Sequence, residues 1–207
     1  MMIEDFGSRI ASVWQGLRST TRNLIVGALQ SSVPTPPPAR RASSTPYDAR
    51  ADWELSRLLT ALDERVSEKD STLTAEQVRE LRRMADTTAT VLQYQTRSAE
   101  VFAQLVARAH ARNDFSRIDT LADALTERFA PSETAELTRV ADPVVRALAL
   151  EAMVQLPTGS LVTLLVDPVD AEVARDAIER QVLEYESEEA RQVLNALDQV
   201  EAEDGEL

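Results

Sequence analysis

The residue types that most often do chemistry are scarce in this chain. The only histidine is His110, cysteine is absent, and no glycine lies between Gly27 and Gly159. A Ser–His–Asp triad needs a histidine that is held by an acid, and Asp114, one helical turn away, is the nearest candidate. Near the end of a predicted helix, His110 is better explained as a solvated side chain that the helix dipole favours. We therefore predict no catalytic residue and a protein that is not an enzyme.

The abundant carboxylates do not by themselves predict a metal site. They occur as runs, in "EYESEE" at 184–189 and among the last residues, and such runs are usually solvated surface. A magnesium site needs carboxylates that converge on one point, and zinc sites built on thiolates need cysteine. Neither GxxxxGK[ST] nor GxGxxG occurs in the sequence, so no phosphate-cradling loop is predicted. We expect no metal and no cofactor.

Charge is divided unevenly along the chain. Residues 1–50 carry six arginines and three acids, a net of +3, whereas the other 157 residues carry 16 basic and 32 acidic groups, a net of −16. Phosphate contacts dominate affinity for nucleic acid, so the acidic body argues against nucleic acid as a partner. The asymmetry suggests that the two ends meet different partners, or each other.

The elements that position these residues are predicted to be helices throughout. Ala, Leu, Glu and Arg are abundant, and there are only five glycines among 207 residues, a composition that favours an all-α fold. Hydrophobic residues make up 43% of the chain and aromatic residues only 4%. The core is therefore expected to consist mainly of Leu, Val and Ala.

Residues 2–29 have the pattern of one amphipathic helix. At 100° per residue the apolar side chains fall on one arc of about 140°: Met2, Ile3, Phe6, Ile10, Val13, Trp14, Leu17, Leu24, Ile25 and Ala28. Arg9 and Arg18 lie at the two edges of this face, where long cationic stems can lie along apolar surface. The opposite face is small and polar: Ser8, Ser12, Gln15, Gly16, Ser19, Asn23 and Gly27.

Three interpretations of this helix stay open. A Ser/Gly/Asn-rich face opposite bulky apolar residues resembles the lipid-packing-sensor helices, which lie on curved membranes. The same face would also suit a groove on a protein, either a partner's or the chain's own. A mitochondrial-type presequence is the third interpretation, and the early acidic pair Glu4 and Asp5 counts against it. For a membrane or a protein partner, we predict that the anchor is formed by these residues: Phe6, Ile10, Val13, Trp14 and Leu17, with Arg9 and Arg18.

A proline-rich linker over residues 31–50 separates this helix, residues 1–30, from the acidic body. Residues 31–46 hold five of the nine prolines, which favours an extended, semi-rigid spacer. Pro34 and Pro37 form a PxxP, and Arg40-Arg41-Ala42-Ser43 is similar to a basophilic kinase site. Short motifs of both kinds match by chance often, and we interpret the segment as a tether.

Residues 51–113 are predicted to form a long helical hairpin. The first helix spans 51–67, with Trp53, Leu55, Leu58, Leu59, Leu62 and Val66 on its apolar side. Thr74 and Gln77 have the spacing of a capping box, and from there the pattern predicts one unbroken helix to about Arg112. Because this helix would be unusually long, a self-associating coiled coil is an alternative.

Residues 114–203 contain short helices, and 204–207 form an acidic tail. The predicted helix starts follow capping residues: Ser116, Ser132, Asp142, Asp167 and Ser187. "LTRVADPVVRALALEAM" at 137–153 aligns with "LVTLLVDPVDAEVARDAIERQ" at 161–181. Each has a short apolar helix followed by Asp-Pro, here Asp142-Pro143 and Asp167-Pro168, and then an arginine, Arg146 or Arg175. This pattern resembles HEAT-like helical repeats, a resemblance that implies paired helices, an inward arginine and a protein-binding surface. A plain helical bundle, in which Asp-Pro serves only as a helix start, is the alternative.

Together these observations predict a non-enzymatic adaptor or scaffold. It would bind other proteins through the acidic helical surface, while residues 2–29 anchor it to a membrane or a partner or dock on its own C-terminal helices. The alternative is a structural subunit of a homo-oligomer that self-associates through the long helix. No run of 18 apolar residues occurs, and the N-terminus lacks the apolar core of a secretory signal. We therefore expect a cytoplasmic protein, with peripheral membrane contact as the open alternative.

Overall fold

The computed structural model describes residues 3–30, 47–68 and 73–204, and every regular element in these ranges is helical. The all-α prediction is therefore confirmed. Residues 31–46 of the predicted Pro-rich linker, with its two motifs, lie outside the described residues, and the predicted linker end at residue 50 is wrong because a helix already begins at Ala49. The elements are a 3-10 turn at Ile3–Phe6 and the α-helices α1 Ser8–Gly16, α2 Ser19–Gln30, α3 Ala49–Ser67, α4 Ala75–Gln95, α5 Ala99–Ala111, α6 Phe115–Arg128, α7 Pro131–Leu137, α8 Pro143–Gln155, α9 Thr158–Leu164, α10 Ala171–Tyr185 and α11 Glu188–Asp204.

The chain divides into two compact units, Met1–Val101 and Phe102–Leu207. In the first unit α3 and α4 form a hairpin, α1 packs on α3, and α2 packs on α4 and α3. Leucines at helical spacing form its core: Leu55, Leu58, Leu59, Leu62, Leu81 and Leu92. The predicted capping box opens α4, where Gln77 N–H donates to the Thr74 hydroxyl at 3.2 Å and Thr74 N–H donates to the Gln77 side chain at 2.8 Å.

The prediction of one helix over residues 2–29 is wrong. Gly7 has φ +119, a conformation that glycine adopts without a Cβ penalty, and it separates the 3-10 turn from α1. A second break follows at Leu17, whose backbone is extended. Here the Arg18 backbone N–H donates to a carboxylate oxygen of Glu54 on α3, at 3.3 Å. A contact with a distant residue therefore replaces an intrahelical bond.

The prediction of an unbroken helix from Thr74 to Arg112 is also wrong, because α4 ends at Gln95 and α5 begins at Ala99. Thr96 is buried and extended, and its hydroxyl accepts the Ser98 N–H at 3.2 Å. The Arg97 N–H and the Thr96 hydroxyl both face the Tyr47 oxygen. Such side-chain bonds offer the backbone an alternative to the helix ladder. The long helix on which the coiled-coil alternative rested is thus two helices.

The second unit is built from two layers of helices. One layer contains α6, α8 and α10, since α8 packs against both neighbours; the other contains α7, α9 and α11, with α9 between its neighbours. Across the layers α7 packs on α8, α9 on α10 and α10 on α11. Small and branched side chains fill the space between them: Ala135, Met153, Val154, Leu161, Ala174, Ala177, Ile178 and Ala190.

The caps of the second unit follow the sequence only in part. Asp142 opens α8 as predicted, accepting the N–H groups of Val144 at 2.8 Å and Val145 at 3.2 Å, with Pro143 at the first helical position. α11 opens as predicted after Ser187, whose hydroxyl accepts the Ala190 N–H at 3.3 Å. α6 is capped by Asp114 instead of Ser116, and α7 begins at Pro131 instead of after Ser132.

No single described helix is both long and apolar enough to cross a membrane. α8 and α9 pass such a test only as a pair, and they are bent by 118° at the break between them.

Candidate functional sites

The apolar face of the N-terminal helices is turned onto the chain's own α3–α4 hairpin. Phe6, Ile10 and Leu17 are buried, and so is Ile25, whereas Val13 and Trp14 are half-buried. The polar face is exposed at every position predicted for it: Ser8, Ser12, Gln15, Gly16, Ser19, Asn23 and Gly27. The periodicity therefore identified the buried side of α1, but not all of that of α2, where Leu24 is exposed and Thr21 is buried. The groove in which this side docks belongs to the first unit, not to the C-terminal helices.

A buried carboxylate, Glu54, lies at the centre of this interface, with 2% of its surface exposed. The Thr21 hydroxyl donates to its Oε2 at 2.5 Å, and the Arg18 guanidinium Nε donates to its Oε1 at 2.9 Å. Arg50 on α3 lies 3.4 Å from the same Oε1. Because an anion is stabilised at a helix N-terminus, Glu54 acts as a cap for α2 supplied by another helix. We call Glu54, Arg18 and Thr21 the Glu54 clasp.

The protonation equilibria in the clasp favour the charged pair. Burial acts to raise the pKa of Glu54, but hydrogen bonds from the Thr21 hydroxyl and from the N–H and guanidinium of Arg18 outweigh it, so the pKa is lowered. The same guanidinium reaches Asp48 at 2.8 Å and lowers the pKa of that carboxyl. Arg18, the residue just before α2, therefore connects two acids at the beginning of α3.

Further bonds hold the ends of the N-terminal helices. Arg65 Nε donates to the Phe6 carbonyl at 2.9 Å, Arg9 pairs with Glu64 at 2.6 Å, and Arg83 donates to the Leu29 carbonyl at 2.7 Å. A shallow groove of about 290 Å³ runs between α1 and α3, lined by residues of the Phe6–Ile10 and Ala61–Glu68 segments. Arg9 and Arg18, predicted to lie at the edges of the apolar face, thus both pair with carboxylates of the hairpin.

A second buried acid, Asp52, lies at the beginning of α3. It accepts from the Tyr47 hydroxyl at 2.7 Å and from Gln95 Nε2 at 3.2 Å. Burial, with the bond to Asp52, raises the pKa of Tyr47 to about 12, so this phenol stays a donor over the physiological pH range. The contact ties the end of α4 to the start of α3.

The apolar pattern of α3 did not indicate these two acids, and it placed Trp53 on the wrong side of the helix. Trp53 was predicted on the apolar side of α3, but it is 54% exposed and carries the Arg57 guanidinium 4.7 Å from its ring centroid. The available signal was the spacing, since Asp52 lies three residues before Leu55 and Glu54 lies four before Leu58. Its apolar character suggests that Trp53 is buried, whereas the helical period places Asp52 and Glu54 on the buried side of α3.

The residues of the Asp-Pro repeat do not converge on one site. Arg146 is exposed and donates to the Val140 carbonyl at 3.1 Å, so it does not have the expected inward position, whereas Arg175 is half-buried and reaches Asp198 of α11 at 2.9 Å. Asp167 accepts the Val169 N–H at 2.9 Å, and Pro168 lies in the turn before α10. The second Asp-Pro therefore shapes a turn, and α10 starts after Asp170.

Polar contacts that the Asp-Pro pattern does not predict connect α10 to earlier helices of the second unit. Arg139, just after α7, pairs with Asp170 at the start of α10. Gln181 is buried; its Nε2 donates to the carbonyls of Val154 and Leu156, at 2.9 and 2.7 Å, and its Oε1 accepts from the Thr158 hydroxyl at 2.8 Å. The turn between α8 and α9 is thereby fixed to α10.

The outward side of the α6–α8–α10 layer is acidic with apolar side chains among the charges. Its exposed charged side chains are seven acids and one base: Asp119, Asp123, Glu127, Glu151, Glu172, Asp176 and Glu184, against Arg146, while the other arginines of these helices, Arg117, Arg128, Arg175 and Arg180, are half-buried. We call this the acidic face. Leu183 is 80% exposed and Leu150 is 39% exposed. Between them Arg180 bonds the Leu150 carbonyl and pairs with Glu151 and Glu184.

His110 is exposed in the last turn of α5, and Asp114 accepts the Arg117 N–H at 3.2 Å as the cap of α6. Within the described ranges, no three His, Cys, Asp or Glu side chains come together as a metal site would require. Comparison with protein-family models, with curated proteins and with solved structures found no match.

Proposed function

We propose that this protein is a non-enzymatic scaffold that binds basic segments of other proteins through the acidic face of α6, α8 and α10. The observation that carries the proposal is Leu183, which is 80% exposed among carboxylates. Apolar side chains that are grouped and rimmed by charge typify protein-binding surfaces. Leu183 of α10 and Leu150 of α8 are two such side chains on neighbouring helices. Arg180, one turn before Leu183, donates to the Leu150 carbonyl and so connects the two positions.

The helical layers support the same function. Stacked helices present extended surfaces made of side chains from successive elements, and protein binding is the common use of such surfaces. Complementary charge steers encounter, whereas central apolar side chains supply most of the affinity. A basic amphipathic segment has both properties, so it is the partner class that we expect.

Paired variants test this proposal. Asp176→Lys with Leu183→Ser changes the acidic face, and Glu136→Lys with Val162→Ser makes matched changes at exposed positions of the α7–α9–α11 layer. Partners captured by the wild-type protein are identified, and the binding of one purified partner is then measured by calorimetry. We expect the acidic-face variant to weaken binding at least about tenfold, which corresponds to about 1.4 kcal/mol, and the control to match wild type. Equal affinities for the two variants would overturn the proposal.

A further inference from the structure

The N-terminal helices dock through the same side chains that a membrane helix would insert. Phe6, Ile10 and Leu17 are buried against the first unit, with Trp14 half-buried beside them. An amphipathic helix on a bilayer buries its apolar face at the headgroup boundary. One set of side chains cannot be buried in both places, so docking and lipid insertion exclude each other.

The hairpin also provides the anions that a lipid surface would provide. Arg18 contacts Glu54 and Asp48, and Arg9 contacts Glu64. These two arginines lie at the edges of the apolar face, where cationic head groups reach toward lipid phosphates. The docked state therefore satisfies the segment's apolar and cationic groups together, as an anionic membrane surface would.

We propose that residues 3–30 form a detachable lipid-binding module, and that the Glu54 clasp holds it off anionic membranes. This inference stands independently of the acidic face proposed to bind proteins. The clasp also explains the break between α1 and α2, since Glu54 takes the Arg18 N–H that would otherwise continue the helix. Once released, the segment can close this break and present one longer apolar face.

Flotation of the full chain with small anionic vesicles of phosphatidylcholine and phosphatidylserine tests the clasp. Glu54→Gln removes the buried charge without changing residues 3–30, and Glu127→Gln makes the same change in net charge on exposed α6. We expect the floating fraction to rise severalfold for Glu54→Gln only, and less with vesicles of phosphatidylcholine alone. Flotation that is the same for wild type and Glu54→Gln, whether high or absent, overturns the proposal.

Trp14 reports whether this face enters the lipid. The chain has two tryptophans, and Trp53→Phe leaves Trp14 as the only one. In a variant that combines Trp53→Phe with Glu54→Gln, we expect the fluorescence of Trp14 to shift to the blue when anionic vesicles are added. Flotation without a blue shift of Trp14 would show that another part of the chain binds the vesicles. That result would contradict the proposed lipid-facing role of these helices.

Arg65→Ala keeps the proposal testable if circular dichroism shows that Glu54→Gln does not fold. This change removes the bond from α3 to the Phe6 carbonyl, away from the clasp. It should raise flotation in the same direction. If a folded Arg65→Ala becomes more sensitive to protease within residues 3–30 but does not float, the released face binds no lipid and the proposal fails.

Discussion

At the scale of single residues, a buried carboxylate is the unusual feature of this protein. Glu54 is accommodated because an N–H, a hydroxyl and a guanidinium all donate to it. Buried charge is costly unless it is paired and hydrogen-bonded. Glu54 therefore does not increase stability by being charged alone; it selects the one arrangement of α2 on α3 that supplies its donors.

We expect Glu54→Gln to lower the free energy of unfolding of the first unit at neutral pH by about 1–3 kcal/mol, because a charge-assisted hydrogen-bond set is replaced by neutral bonds. The folded-state pKa of Glu54 lies below its usual 4.5, so its stabilising effect is complete above that value and is lost as the pH falls through the folded-state pKa.

Denaturant melts of wild type and Glu54→Gln at a series of pH values check this expectation. The difference in the free energy of unfolding between the two proteins should be largest near pH 7 and should shrink in acid. Arg18 and Arg50, the two groups that face Glu54, stay charged in acid. A difference that grows as the pH falls would show that the carboxylate is destabilising in its folded site.

At the scale of elements, the two Asp-Pro sequences look alike but do different work. Asp142 accepts two N–H groups at the start of α8, whereas Asp167 accepts one N–H in a turn and lies four residues before the first residue of α10. The start of α10 is instead held by Asp170, whose side chain pairs with Arg139. Similar local sequence thus serves a helix cap in one place and a turn in the other.

We expect Asp142→Ala to destabilise the second unit by about 1 kcal/mol, the usual cost of an N-cap. Asp167→Ala is the matched control and should cost about half as much or less, since one bond in a turn is lost. Thermal melts followed by circular dichroism measure both. Equal losses of stability in the two variants would mean that the turn and the cap stabilise the second unit alike, which would contradict this expectation.

At the scale of the whole molecule, apolar surface that could have served self-association is used inside the chain. Leu81, Ala85 and Leu92 of α4 are buried in the first unit, where α4 packs on α3 and α2. α5 is a separate helix, so the heptads that cross Thr96 do not form one seam.

We therefore expect the full chain to be a monomer of 22.9 kDa. Light scattering coupled to size exclusion measures this at several protein concentrations, with salt near physiological strength because a net charge of −13 promotes repulsion between copies. A defined dimer or larger oligomer that persists on dilution would contradict the expectation and would restore the structural-subunit alternative.

The sequence by itself determined the all-α class, the buried and exposed sides of α1, and the caps at Thr74 and Asp142. These features depend on helical period and on bonds that span three residues or fewer. Tertiary structure alone decided that the chain breaks at Leu17 and at Thr96, and that Asp52 and Glu54 lie inside. Each acid has a donor from far along the chain besides a nearby partner: Thr21 is 33 residues from Glu54, and Gln95 is 43 from Asp52. Whether a carboxylate can be buried depends on donors that no local pattern contains.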